Sequence, residues 1–320
     1  MNLTHPGRTA EGLGVDPTNG IPVNPTRYSR TKNLTLATAG RVVLTMIAMT
    51  VISLGGAIAF GSLAEAARLD SAWGAVLVCA GVLVLSVPVI WALRRFLEGD
   101  RAAYLALGWQ RGRALSGAVF GLLVSVVLVG VPLWVAMANS QVDYGLFPPQ
   151  VVAMGALQVF AVSFMLQGFP EEALWRGYLQ TTLMSRLTPV SAAVISAVFF
   201  GAMHVFSNGG DQPIVDRLIY AFTAVGMGLA MAGLRLVTGS TWAAIAYHTG
   251  WHLNTRVPSL FVQGMNGQIP EWYSALTPTL EFLFGIGCLV WWQRTHGSRP
   301  GAPEASEAVE ETDVAEAASR

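Results

Sequence analysis

The chain has 320 residues, of which 53% are hydrophobic and 12% are charged, and its formal net charge is zero. The charged fraction is roughly half that of an ordinary water-soluble domain, so the composition excludes that class, and the neutral balance gives no basis for nucleic-acid binding. The two cysteines, Cys79 and Cys288, lie in separate apolar runs, which excludes a disulfide framework and zinc-finger spacing.

The amino-terminal segment 1–38 is polar and rich in Pro, Thr, Asn and Arg. Such a composition cannot bury enough apolar surface to fold, so we predict a disordered head. The first apolar run starts near Val42, too far along the chain and too long for a signal peptide, and is expected to be an uncleaved first span.

A helix needs about 20 apolar residues to cross the hydrocarbon core of a bilayer. Apolar runs of suitable character follow one another at 42–63, 72–93, 114–137, 151–169, 189–206, 217–237, 241–254 and 274–292. The sequence therefore predicts an all-α protein, a polytopic integral membrane bundle of about eight transmembrane helices within residues 39–295. The segment 296–320 is acidic and rich in Ala, Ser, Pro and Gly, and is expected to be a disordered tail.

Basic residues concentrate before the first span, in the second and fourth connections, and after the last span. They are Arg27, Arg30, Lys32, Arg41, Arg94, Arg95, Arg101, Arg111, Arg113, Arg176, Arg186, Arg294 and Arg299. Because basic residues are retained on the cytoplasmic side, we expect an even number of spans with both termini in the cytoplasm.

Ionisable side chains at membrane depth are costly and usually face a functional cavity. We single out Glu171, Glu172, Arg176, His204, His248 and His252 as candidates of this kind. Gly168 and Pro170 are expected to end the fourth span, so that a new helix begins at Pro170. On that helix Glu172 and Arg176 are four residues apart and can pair, which leaves Glu171 without a local partner. The alternative is that both glutamates are solvated charges capping a helix.

The histidines allow two interpretations. His248 and His252 are four apart and share a helical face, a spacing that can bind a metal, although the glutamate of zincin-type proteases is missing after the first histidine. Equally, they and His204 can be polar side chains satisfied by neighbouring helices.

Taken together and in this order, the motifs resemble the CPBP family. This family comprises the type-two, glutamate-dependent CAAX prenyl proteases and their bacterial relatives, also called the Abi family. The matching residues are Glu171, Glu172, Arg176 and Gly177, then Phe200 and His204, then His248. The resemblance covers about residues 151–254. Four residues after the last histidine the family usually has asparagine, where this chain has His252.

The resemblance implies an intramembrane endopeptidase in a bacterial plasma membrane that acts on a membrane-associated peptide or protein substrate. It implies that Glu171 and His204 activate a water molecule, that His248 and here His252 donate hydrogen bonds to the oxyanion, and that Glu172 and Arg176 form a structural pair. No cofactor is favoured, but zinc bound by Glu171, His204, His248 and His252 is the alternative.

Two other functions stay open at this point. A non-catalytic membrane factor, such as a bacteriocin-immunity protein, would use the same scaffold without hydrolysis. A small-solute transporter could use the polar cluster as a proton relay, although no internal repeat of the kind common in transporters is evident.

One geometric difficulty also follows from the predicted spans. Straight helices would place Glu171 near the cytoplasmic face and His204 near the outer face.

Overall fold

The computed structural model describes residues 14–15, 22–23, 32–99, 107, 111–145, 147–207, 212–266 and 270–297. The described residues form a bundle of eight main helices. These are α1 Leu34–Ala66, α2 Ser71–Leu97, α3 (Arg111–Ser125, Val126–Gly130 and Val131–Ala138), α4 Pro149–Leu183, α5 Pro189–Met203, α6 Ile214–Thr238, α7 Thr241–Arg256 and α8 Glu271–His296. The predicted head 1–38 and tail 296–320 lie largely outside the described residues.

Short elements complete the described part of the chain. A single 3₁₀ turn, Val257–Leu260, follows α7. Strand β1 (Gly14–Val15) pairs antiparallel with β2 (Pro22–Val23), and β3 (Gln141–Tyr144) pairs antiparallel with β4 (Val262–Asn266). The second pair joins the α3–α4 connection to the α7–α8 connection.

The prediction of an all-α polytopic membrane protein is confirmed, and the number of eight spans is approximate. Among the described helices six are long and apolar enough to cross a membrane: α1, α2, most of α3, α4, α6 and α8. The predicted spans 189–206 and 241–254 correspond to α5 and α7, which have only 15 and 16 residues. His248 and His252 lie on α7, and His204 directly follows α5.

The outside of the bundle is apolar and its interior holds the polar groups. Large side chains such as Leu36, Leu115 and Phe222 are more than 60% exposed, as expected of positions that face lipid. Glu172 and Arg176, in contrast, are fully buried. This inverted arrangement is what a membrane helix bundle requires, because polar side chains are stable there only inside the protein.

The expectation that a new helix begins at Pro170 is wrong. Helix α4 runs without a break from Pro149 to Leu183, through the π-helical stretches Ala161–Gly168 and Ala173–Gln180. Just before the proline, the amide of Phe169 donates to the carbonyl oxygen of Phe164, five residues back. A π-helical turn widens the helix locally, so Pro170, which has no amide hydrogen, is accommodated without ending it.

Two sets of contacts mark the two ends of the bundle. At one end Glu98, at the end of α2, accepts hydrogen bonds from Arg41 Nε near the start of α1 and from Tyr178 Oη near the end of α4, both at 3.0 Å. At the other end β3 pairs with β4. We call these ends the Arg41 face and the hairpin face.

Helix α7 lies inside the bundle, packed against α3, α4 and α6. The turn before it is tight because Gly239 adopts a left-handed conformation (φ 66°) that ends α6. Ser240 then caps α7 by accepting a hydrogen bond from the amide of Trp242 at 3.3 Å. On the α3 side, a Cβ at Gly121 would collide with the carbonyl oxygen of Ala243. Glycine at this position therefore allows α3 and α7 to approach closely, which fixes where α7 stands.

Candidate functional site

The structure brings all six predicted site residues into one polar cluster. Glu171, Glu172 and Arg176 lie on α4, His204 directly follows α5, and His248 and His252 lie on α7. Glu171 interacts electrostatically with His248, and His204 interacts with both His248 and His252. Three helices that are separate in sequence therefore converge on one point inside the bundle.

The cluster forms because Glu171 and His204 lie at a similar depth, which removes the difficulty raised by straight spans. Glu171 lies about 18 Å before the end of α4, and α5 is only about 22 Å long, from the helical rise of 1.5 Å per residue. The two helices run side by side, since Ser196 Oγ on α5 donates to the carbonyl oxygen of Trp175 on α4 at 3.2 Å. The end of α5 consequently reaches the level of Glu171.

Glu172 lies at the centre of the cluster and is closed to solvent. Its Oε1 accepts a hydrogen bond from Nη1 of Arg176 at 2.9 Å, across one helical turn. The same oxygen accepts one from Nδ1 of His248 on α7, also at 2.9 Å. Oε2 is buried without a hydrogen-bond partner among the described residues. The carboxylate thus joins α4 to α7 as well as pairing with the arginine.

Arg176 is held on three sides. Besides the contact with Glu172, its Nη2 donates to the carbonyl oxygen of Gly228 on α6 at 2.9 Å. Its guanidinium lies over the ring of Phe200 on α5, 4.6 Å from the ring centre, a cation–π contact. Arg176 therefore ties α4 to α5 and α6, and the phenylalanine four residues before His204 has a physical role in the cluster.

Glu171 differs from its neighbour in its surroundings. It is only partly buried, whereas Glu172 is fully buried. His248, Glu172 and Arg176 are the charged or ionisable groups that act on it. Glu171 is therefore the less buried carboxylate of the pair.

His204 has a defined tautomer when neutral. Its Nδ1 lies 2.8 Å from the carbonyl oxygen of Phe200. A carbonyl oxygen can only accept, so Nδ1 carries the hydrogen and Nε2 has a free lone pair. The ring also packs against Phe200 and Tyr220, with centroids 4.7 and 5.5 Å apart. These contacts leave Nε2 as the basic nitrogen of His204.

His248 and His252 stack with their centroids 5.1 Å apart and an angle of 29° between the rings. Glu172 occupies Nδ1 of His248, so Nε2 remains for other contacts. His252 is 8% exposed, and its Nδ1 is buried with no hydrogen-bond partner among the described residues. A buried polar atom of this kind calls for a hydrogen-bond partner such as water or substrate.

The four candidate metal ligands do not fit a metal site in this arrangement. Among the described residues, no group of three or more His, Cys, Asp or Glu side chains is placed to hold a metal ion. Because Nδ1 of His204 and Nδ1 of His248 are engaged with Phe200 and Glu172, only Nε2 of each ring could face an ion.

The set of ionisable groups chosen from the sequence was incomplete. Glu281 on α8 is 3% exposed, and Arg235 on α6 is 1% exposed. The signal for Glu281 was present, since it is the only acidic residue in the apolar run 274–292. The contact between Glu172 and His248, in contrast, joins residues 76 positions apart and has no local signature.

Comparison with known families supports the resemblance seen in the motifs. Residues 153–254 match the family model described as type II CAAX prenyl endopeptidase Rce1-like. This match is consistent with the CPBP family of intramembrane proteases and covers α4 to α7, the helices that build the polar cluster. No curated protein matches the chain.

Proposed function

We propose that the protein is an intramembrane endopeptidase that hydrolyses a peptide bond with a water molecule activated by Glu171 and His204. The observation that carries this proposal is the unequal environment of the two adjacent glutamates. Glu172 is fully buried and bonded to Arg176 and His248, whereas Glu171 beside it is only partly buried. One carboxylate is fixed in the structure and the other is available for proton transfer.

The water is the nucleophile in the first step. Glu171 takes a proton from it while the water oxygen bonds to the carbonyl carbon of the substrate, and Nε2 of His204 accepts a hydrogen bond from the water and orients it. The carbonyl oxygen becomes an oxyanion. When the C–N bond breaks, the proton held by Glu171 passes to the leaving nitrogen, which yields an amine and a carboxylic acid that then loses its remaining proton to water.

Two histidines on α7, His248 and His252, stabilise the oxyanion in this mechanism. Nε2 of His248 lies on the opposite side of the ring from the Nδ1 contact with Glu172 and donates to the oxyanion when both ring nitrogens carry hydrogen. His252, stacked on it, supplies a second donor. Donors fixed in place before reaction are effective in a site from which bulk water is excluded. Neither this step nor the first uses a metal ion.

The family match suggests the first substrate to try. Purified protein in detergent should cleave a fluorogenic farnesylated peptide ending in a CAAX motif, with the products identified by mass spectrometry. We expect Glu171→Ala to abolish cleavage, and Glu65→Ala, at an exposed position on α1, to preserve it. If neither this peptide nor an unprenylated peptide library is cleaved by folded protein, the proposal fails in favour of a non-catalytic membrane factor, for example one giving immunity to a bacteriocin.

We further propose that the chain is inserted in a bacterial plasma membrane with both termini in the cytoplasm. The arginine distribution supports this orientation, and it makes the Arg41 face cytoplasmic.

A further inference from the structure

Helix α8 contributes a carboxylate, Glu281, that the proposed mechanism does not use. Tyr247 Oη donates a hydrogen bond to Glu281 Oε1 at 2.8 Å, and the Trp251 side chain donates a second one. Glu281 is 3% exposed and lies beyond the segment 153–254 that matches the family model. A carboxylate inside a membrane bundle is costly and is usually retained for a functional reason.

Both donors to Glu281 are on α7, and each immediately precedes a candidate catalytic histidine. Tyr247 and Trp251 are four residues apart, as are His248 and His252, so the two pairs form neighbouring stripes offset by about 100° around the helix. The Trp251 ring also meets the His252 ring edge to face, with centroids 4.9 Å apart. A contact that fixes the orientation of Tyr247 and Trp251 therefore also fixes the direction in which His248 and His252 point.

Helix α7 is consequently held between two carboxylates. Glu172 on α4 holds one side through His248, and Glu281 on α8 holds the adjacent side through Tyr247 and Trp251. Helix α8 packs mainly against α6. The long side chains of Tyr247 and Trp251 thus provide the polar connection from α8 to the site.

We infer that Glu281 is a positioning residue: through Tyr247 and Trp251 it fixes the rotation of α7 and thereby aims His248 and His252 at the substrate. This role rests on the proposed endopeptidase function. It differs from a purely structural role, in which loss of the contacts would lower stability without changing the rate of the folded protein.

The first test compares two Tyr→Phe substitutions, each of which removes a hydroxyl group that donates a hydrogen bond to a buried glutamate. Tyr247→Phe removes a donor to Glu281, and Tyr178→Phe removes a donor to Glu98 at the Arg41 face, 3.0 Å away. With the farnesylated CAAX peptide, we expect Tyr247→Phe to lower kcat on the order of 10-fold to 100-fold, because small misplacements of catalytic groups have effects of that size. KM should change little, and Tyr178→Phe should keep the wild-type kcat.

Two further variants separate the polar contact from the volume of the side chain. Glu281→Gln keeps an acceptor for Tyr247 and should retain more activity than Glu281→Leu, which keeps none. If Glu281→Leu does not fold, Tyr247→Phe and Trp251→Phe decide the question. Wild-type kcat in both folded phenylalanine variants would overturn the inference.

A second measurement does not depend on cleavage. Diethyl pyrocarbonate modifies accessible imidazoles, and mass spectrometry gives the rate at each histidine. We expect Tyr247→Phe and Trp251→Phe to speed modification of His248 and His252 several-fold relative to His204, which directly follows α5, with no such change in Tyr178→Phe. If wild-type protein cleaves nothing but these rates change, the proposed function fails and the positioning of α7 stands. Unchanged rates in folded variants would overturn the positioning role itself.

Discussion

His248 Nδ1 donates to Glu172 Oε1 at 2.9 Å, on the same oxygen that accepts from Arg176. The contact makes the orientation of an α7 histidine depend on an ion pair within α4. Because Glu172 and Arg176 are both fully buried, neither charge can turn to water if its partner is lost. Stability and histidine placement are therefore coupled through one carboxylate.

Glu172→Gln should destabilise the protein and impair whatever fraction stays folded. Removing one member of a buried ion pair typically costs about 3–5 kcal/mol, so the melting temperature in detergent should fall clearly. Arg176→Gln should have a similar effect. The double variant Glu172→Gln/Arg176→Gln should be less unstable than the sum of the two single changes, because neither charge is then left alone. Additive losses in melting temperature would contradict this coupling.

Glu171→Gln should fail in a different way from Glu172→Gln. The amide preserves the shape of the side chain but cannot take a proton, so the folded protein should lose the contribution of a general base, about 10²–10⁴-fold in rate. Its melting temperature should stay near that of the wild type. Initial cleavage rate and melting temperature measured on both variants, with Glu65→Gln as control, give the answer. A stable, inactive Glu172→Gln beside a fully active Glu171→Gln would reverse the two roles.

Local features of the site were predictable from the sequence. The pairing of Glu172 with Arg176 follows from a four-residue spacing on a helix, and the structure has that pair at 2.9 Å. The membrane class follows from apolar runs long enough to cross a bilayer, and six helices have that length and character. Both inferences use information contained within one turn or one helix.

The remaining features depend on how helices are placed against one another. The pair Gly168 and Pro170 favours a helix end in the sequence, but the π-helical turns of α4 accommodate Pro170, and hydropathy carries no signal for such turns. The depth of His204 depends on α5 being short and on the register set by Ser196 against Trp175. Contacts such as that between Tyr247 and Glu281 join positions that are distant in the sequence, so no local spacing predicts them.

His252→Asn tests both the departure from the family pattern and the metal alternative. Asparagine also donates a hydrogen bond, so we expect the variant to keep activity within roughly tenfold of the wild type, whereas His252→Leu should lose a donor worth about 10²–10³-fold. A chelator should leave the cleavage rate unchanged. Stoichiometric zinc that is lost and restored together with activity, and bound more weakly by His252→Asn, would establish the metal mechanism instead.

The orientation in the membrane can be measured directly. Reporter fusions at residue 30 and after residue 300 should both indicate the cytoplasm, as the basic residues predict. A cysteine introduced at Ser140, between α3 and β3 on the hairpin face, should react with an impermeant thiol reagent from outside the cell. Cys79 and Cys288 are buried and serve as the background. Termini on opposite sides would refute the even number of spans.

Gly168→Ala probes how closely α4 must approach α7. A Cβ at this position would collide with Thr249 Oγ1 and would lie 2.8 Å from the carbonyl oxygen of Ser163 and 3.3 Å from that of Ile245. The two carbonyls belong to helix backbones, so only the threonine side chain can move aside. Overpacking of this kind typically costs about 1–3 kcal/mol.

The displacement should also reach the chemistry. Glu172 lies one turn after Gly168, and His248 directly precedes Thr249, so pushing the helices apart lengthens the contact between Nδ1 and Oε1. We expect Gly168→Ala to lower both melting temperature and kcat, and Gly168→Ala/Thr249→Ala to recover part of each, because the first collision is removed while the carbonyls remain. Gly61→Ala on α1, where a Cβ would meet nothing within 4 Å, should be as stable and active as the wild type. A Gly168→Ala variant indistinguishable from that control would show that α4 and α7 need not be this close for hydrolysis.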